Sequence, residues 1–231
     1  MRYFFFDDAN VGHSTCGIAS MTLMSIYRVH CKETSFNVDA WYDAIQVAPN
    51  VVVLGYLVEH MCIAAIARGA MGAVIQGLQK PLEKASFDDY PSVANMVLDG
   101  RRWRLFVPST YYFANIDAAV LHMDHTKRMA HAYLIQVTIA KDHKDSENIF
   151  YENQWKRWEA KFREHNYKVD STFVWINREE PTTQDVEPVS RRTRNAGKTI
   201  TVQGRKSMRI SVKALDLALH NAVETALVRL S

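Results

Sequence analysis

The run RRWRLFVPSTYYFANIDAAVLHMDHTKRMAHAYLIQVTIA, residues 101–140, decides the fold. Three strand signals lie inside it. Arg102–Val107 alternates and stops before Pro108, and Ile116–Met123 (IDAAVLHM) is a second apolar run. A polar turn at Asp124–Arg128 leads to Ala132–Ala140 (AYLIQVTIA), rich in β-branched and aromatic residues. Consecutive strands with short connections predict a meander.

Upstream, Gly55–Arg68 (GYLVEHMCIAAIAR) is apolar almost all the way round and ends at Gly69, which predicts a buried helix. Downstream, Tyr151, Trp155, Trp158 and Phe162 fall at i, i+4, i+7 and i+11, one apolar stripe on a helix over Glu147–His165. Ser171–Ile176 (STFVWI) then reads as a strand covered on both faces. The order helix, three strands, helix, strand predicts an α/β core over residues 50–178, with a central mixed sheet of about four strands. Residues 70–100 carry scattered Gly and Pro and suggest a weak element and a loop. An N-terminal segment (1–49) of undecided fold precedes the core. A basic linker (179–211) and a C-terminal helix (212–231) follow it.

Composition narrows the classes. Hydrophobic residues at 48% and charged residues at 23% exclude a disordered or collagen-like chain. No uncharged apolar run approaches ~18 residues, so no membrane span is expected. The opening MRYFFFDD lacks a signal-peptide pattern. Cys16, Cys31 and Cys62 show no C-x-x-C spacing, which argues against a disulfide scaffold or structural zinc and for an intracellular protein. The abrupt start suggests a piece of a longer parent. The net charge of +3 conceals an asymmetry: Glu187–Lys213 holds eight basic residues against one acid, +7, leaving −4 elsewhere. Arg191, Arg192, Arg194, Lys198, Arg205 and Lys206 are candidate phosphate contacts, or part of a nuclear-import signal, or a solvated linker.

Polar residues where a core prefers apolar ones carry the chemical argument. Glu59 interrupts the buried helix, Asp117 opens the second strand, and Gln136 sits inside the third with Thr138 two residues on. Each has a structural explanation as a cap, a turn former or a cross-sheet hydrogen bond. Together they also suit a hard-cation site: oxygens from neighbouring strands, with a helix carboxylate above, fit Mg²⁺. Such an ion can organise a phosphodiester for hydrolysis.

With these residues in place, the chain resembles the PD-(D/E)xK restriction-endonuclease-like nucleases. GYLVEH (55–60), FVPSTYYFANIDAAV (106–120) and LIQVTIAKDH (134–143) are more closely similar to the C-terminal region of Crinkler effectors and retrotransposon hot-spot proteins. The resemblance covers residues 50–178 and implies an αβββαβ core and a Mg²⁺-dependent nuclease-like activity on nucleic acid, DNA foremost; the basic run, read as an import signal, gives a nuclear and otherwise an intracellular location. It assigns Glu59 to the helix acid, Asp117 to the strand acid and Gln136 to the E/Q position. Thr138 stands where the family lysine belongs, so Lys141 or His143 would assist instead. The alternative is a catalytically degenerate module on the same fold that binds nucleic acid or chromatin or serves as an interaction module. Family members carry a P-loop ATPase, a candidate partner domain. Here the sole lookalike, Gly197-Lys198-Thr199, has Arg192 in place of the first glycine. His122, His125 and His131 match no zinc spacing and read as surface histidines. A Cys16 thiol enzyme lacks any supporting local signature.

Overall fold

The computed structural model describes residues 38–109, 113, 115–139, 146–178 and 205–231. Two helices open the described chain, α1 (Val38–Gln46) and α2 (Val51–Ala67). The Asn50 side chain caps α2 by accepting from the Val53 amide at 3.0 Å. Gly69 ends it at φ 93°, a left-handed turn that suits glycine. Residues 70–100 then supply a short 3₁₀ turn, strand β1 (Lys84–Phe87) and helix α3 (Val93–Leu98).

The three signals in the opening run become β2 (Trp103–Pro108), β3 (Ala118–Asp124) and β4 (Met129–Thr138). β2 includes Pro108, and β3 begins one residue after Asp117. At the β3–β4 turn the Asp124 carboxylate accepts from the Thr126 and Lys127 amides at 3.1 and 2.9 Å. Arg128 (φ 54°) completes the reversal. The expected single helix over 147–165 is two, α4 (Ser146–Asn153) and α5 (Trp155–Glu164). Strand β5 (Lys168–Asn177) is buried without interruption from Ser171 to Ile176.

The sheet has six strands where about four were expected, in the order β1-β2-β3-β4-β5-β6. The additional strands are β1 and β6 (Arg205–Ser211), and β6 lies in the stretch read as linker. β2, β3 and β4 form the antiparallel meander, whereas β1 runs parallel to β2, and β4, β5 and β6 run parallel to one another. The C-terminal helix is divided at Asp216 into α6 (Val212–Leu215) and α7 (Leu217–Leu230).

Strand alternation sorts the core into two layers. On one face α2 packs Leu54, Val58 and Met61 against Val120, Ile135, Val137 and Val174, with α1 and α7 completing the layer. On the other, Phe150, Tyr151, Trp155, Trp158 and Phe162 of α4 and α5 cover Phe106, Leu121, Leu134 and Phe173. The molecule is thus α/β, a mixed sheet with helices on both faces. Among the described residues no helix is long and apolar enough to cross a membrane.

Candidate functional site at the end of strands β3 and β4

Asp117 and Gln136 meet where β3 stops short of the end of β4. The Asp117 amide donates to the Ile135 carbonyl at 2.7 Å, and its Oδ2 accepts from the Val137 amide at 2.7 Å. The carboxylate therefore replaces a backbone ladder partner, lying level with the sheet at its edge. The same Oδ2 accepts from Gln136 Nε2 at 2.8 Å. A carboxylate tolerates only the donor end of the amide at that distance, so Gln136 Oε1 is turned away from it. Oε1 makes no hydrogen bond among the described residues, and both side chains are partly exposed.

Glu59 approaches from the other side. Leu134 packs under α4 and α5, and Ile135 and Val137 pack under α2, so alternation places Gln136 and Thr138 on the α4/α5 face. The acid of α2 is consequently not above Gln136, as expected from sequence; it sits across the sheet edge. Gly55, Glu59 and Cys62 form one stripe of α2, and a Cβ added to Gly55 would meet the Ile139 side chain at 3.7 Å, which turns that stripe toward β4. Glu59 is half-buried there. Burial pushes the Cys62 thiol well above its usual range, and the charges of Asp216, Glu59 and Asp117 push it further. Three carboxylates thus share the field around one buried sulfur atom.

Lys141, His143, Arg191, Arg192, Arg194 and Lys198 lie outside the described residues. Arg205 begins β6, and Lys206 is exposed on it. The histidines read as surface residues are half-buried: His122 stacks on Trp103 at 4.1 Å, and His131 Nε2 lies 2.8 Å from Thr172 Oγ1. His125 bridges the Tyr167 hydroxyl (2.7 Å) and the Arg101 carbonyl (2.8 Å). They tie β2 to β3 and link β4 and its turn to β5 and the residue before it.

Two acids were missed. Glu147, in the first turn of α4, is only 2% exposed and accepts from Trp175 Nε1 and Ser207 Oγ, each at 3.2 Å. Nothing in a polar turn followed by a helix signals such burial. Asp216 accepts from the Tyr42 hydroxyl and caps α7 through the Leu219 amide at 3.0 Å. An Asp between two apolar residues in VKALDLALH was its signal, an N-cap within an apparently continuous helix.

Among the described residues no group of three or more His, Cys, Asp or Glu side chains is arranged to hold a metal. The edge does offer hard oxygen donors: the Asp117 carboxylate and the Gln136 amide oxygen, with the Glu59 carboxylate nearby. Mg²⁺ requires no more than one or two carboxylates because it retains several waters, so the donor chemistry fits it. No family model, curated protein or solved structure matches the chain.

Proposed function

We propose that the chain is a metal-dependent nuclease-like domain that binds a nucleic-acid phosphodiester, DNA foremost, at the Asp117–Gln136 edge. The observation that carries the reading is the Asp117 carboxylate, held by the Val137 amide and Gln136 Nε2 beside an uncommitted amide oxygen. After α2, with β1 and α3 intervening, come the antiparallel meander β2–β4, the α4–α5 crossover and the parallel β5, an order that supports reading a restriction-endonuclease-like αβββαβ core. That order supports the likeness to the Crinkler and retrotransposon hot-spot group.

Asp117, Gln136 and Glu59 would hold Mg²⁺, which when bound supplies Lewis acidity at a phosphoryl oxygen and a nucleophile at neutral pH. Asp117 is oriented before any ligand arrives, so little reorganisation is needed at the edge. Lys141 or His143, a few residues past Gln136, would contribute a cation or a base. A nuclear location and a P-loop ATPase partner belong to the same reading.

Thr138 favours a second reading. It faces the same side as Gln136, where the resemblance calls for lysine, and a binding module without turnover would tolerate it.

The test is incubation of the purified protein with plasmid and Mg²⁺ beside Asp117→Asn, with calorimetry of Mg²⁺ on both. Cleavage and metal binding in the wild type, both lost in the variant, are expected. Metal affinity unchanged by Asp117→Asn rejects the site. Nucleic-acid binding without cleavage selects the second reading.

A further inference from the structure

At the level of the candidate site, the three parallel strands place Gln136, Trp175 and Arg209 side by side in register. Each stands two residues before the last residue of its strand, Thr138, Asn177 and Ser211. Paired residues of parallel strands point to one face, so Arg209 shares the α4/α5 face with Gln136. Ser207, two residues earlier in β6, reaches Glu147 on that face, which confirms the direction. Arg209 is exposed and takes part in none of the ion pairs among the described residues. Lys206, of opposite parity in the same strand, faces the α2 side.

Among the described residues, Arg209 is the cation that the strand register sets level with Gln136 on this face. Two strand spacings separate the two residues, about 10 Å. Phosphates of one strand wind around the duplex as well as rising ~3.4 Å each along its axis, so the gap spans only about one or two of them. The carboxyl ends of parallel strands are also where open α/β sheets receive their ligands.

We infer that Arg209 is a substrate-binding residue that grips a backbone phosphate about one or two nucleotides from the phosphodiester held at Asp117 and Gln136. This rests on the nucleic-acid reading of that edge. A guanidinium suits the task because it pairs two donors with phosphate oxygens and stays charged at every working pH.

The experiment measures fluorescence anisotropy of labelled oligonucleotides, single- and double-stranded, at several salt concentrations with Ca²⁺ in place of Mg²⁺. Wild type, Arg209→Gln, Arg209→Lys, Lys127→Gln and Asp117→Asn are compared, with circular dichroism confirming the fold. Arg209→Gln is expected to weaken binding about tenfold and to reduce the salt slope by roughly 0.7–0.9. Arg209→Lys recovers part of the affinity, and Lys127→Gln, exposed at the β3–β4 turn and so at the opposite end of β4 from Gln136, changes it less than twofold. Equal effects of the Arg209 and Lys127 substitutions overturn the inference, since they reveal a diffuse charge effect. An unchanged Arg209→Gln beside an Asp117→Asn that loses binding overturns it while sparing the edge site. No binding by the wild type overturns both.

Discussion

At the residue scale, His131 shows how the fold sets a protonation state. Burial lowers its pKa to about 4; the Asp170 charge opposes this, and Lys206 and His122 add to it. The unfolded chain takes up a proton near pH 6.5, so between about 6.5 and 4 it binds more protons than the folded state. His131 stability is therefore complete above pH 6.5 and is lost as pH falls through 4, about 3 kcal/mol in all. Urea unfolding at pH 7 and 4.5 checks this. His131→Gln sets its amide near the position of Nε2 and can still bond Thr172 but does not titrate, so the wild type is expected to lose more stability than the variant. Equal losses would place the acid sensitivity elsewhere. The residue scale is also where sequence reading is most uneven. Asp117 and Gln136 were legible as neighbours because strand parity follows from adjacent meander strands. The position of Glu59 was not, because helical period says which stripe of α2 is apolar but not which face of the sheet that helix covers. Glu147 was opaque for a different reason: its burial comes from β5 and β6, strands contributed by distant sequence.

At the element scale, the meander β2–β4 and the stripe of α5 were readable because period and burial coincide there. β6 was not. Its RKSMRIS sequence carries three cations and two serines, the composition of a linker, and only pairing with β5 makes it a strand. Charged residues on an edge strand also block further strand addition, so they suit its place at the end of the sheet. The division of the C-terminal helix rests on Asp216, which caps α7 and receives the Tyr42 hydroxyl from α1, with Arg68 3.9 Å away. One side chain joins three elements of the α2 layer. Asp216→Ala is expected to cost about 1–2 kcal/mol, the usual range for removing a cap. Asp216→Asn, which retains a capping oxygen, should cost clearly less. Denaturant midpoints of the two variants decide it: equal destabilisation would mean that charge, not capping, is the contribution of Asp216.

At the scale of the whole molecule, charge and topology converge on one edge. The basic run passes through β6 before ending at Lys213 in α6, and β6 lies beside β5, one strand from the β4 that carries Gln136. Arg191, Arg192 and Arg194 precede that strand in sequence, and if they meet phosphates they do so without reading bases. Neutralising all three should therefore weaken binding to unrelated sequences about equally. The slope of log K against log salt should fall by roughly 0.9 for each duplex phosphate that no longer meets an arginine, because that phosphate keeps its counterions when the protein binds. Titrations of two unrelated duplexes at four salt concentrations provide the measurement. A slope that falls for one duplex only would make the run a sequence reader, contrary to expectation. If binding holds but a fluorescent fusion no longer accumulates in the nucleus, the run is an import signal. If neither responds, the +7 segment is a solvated linker, and affinity for nucleic acid resides in the Asp117, Gln136 and Arg209 row alone.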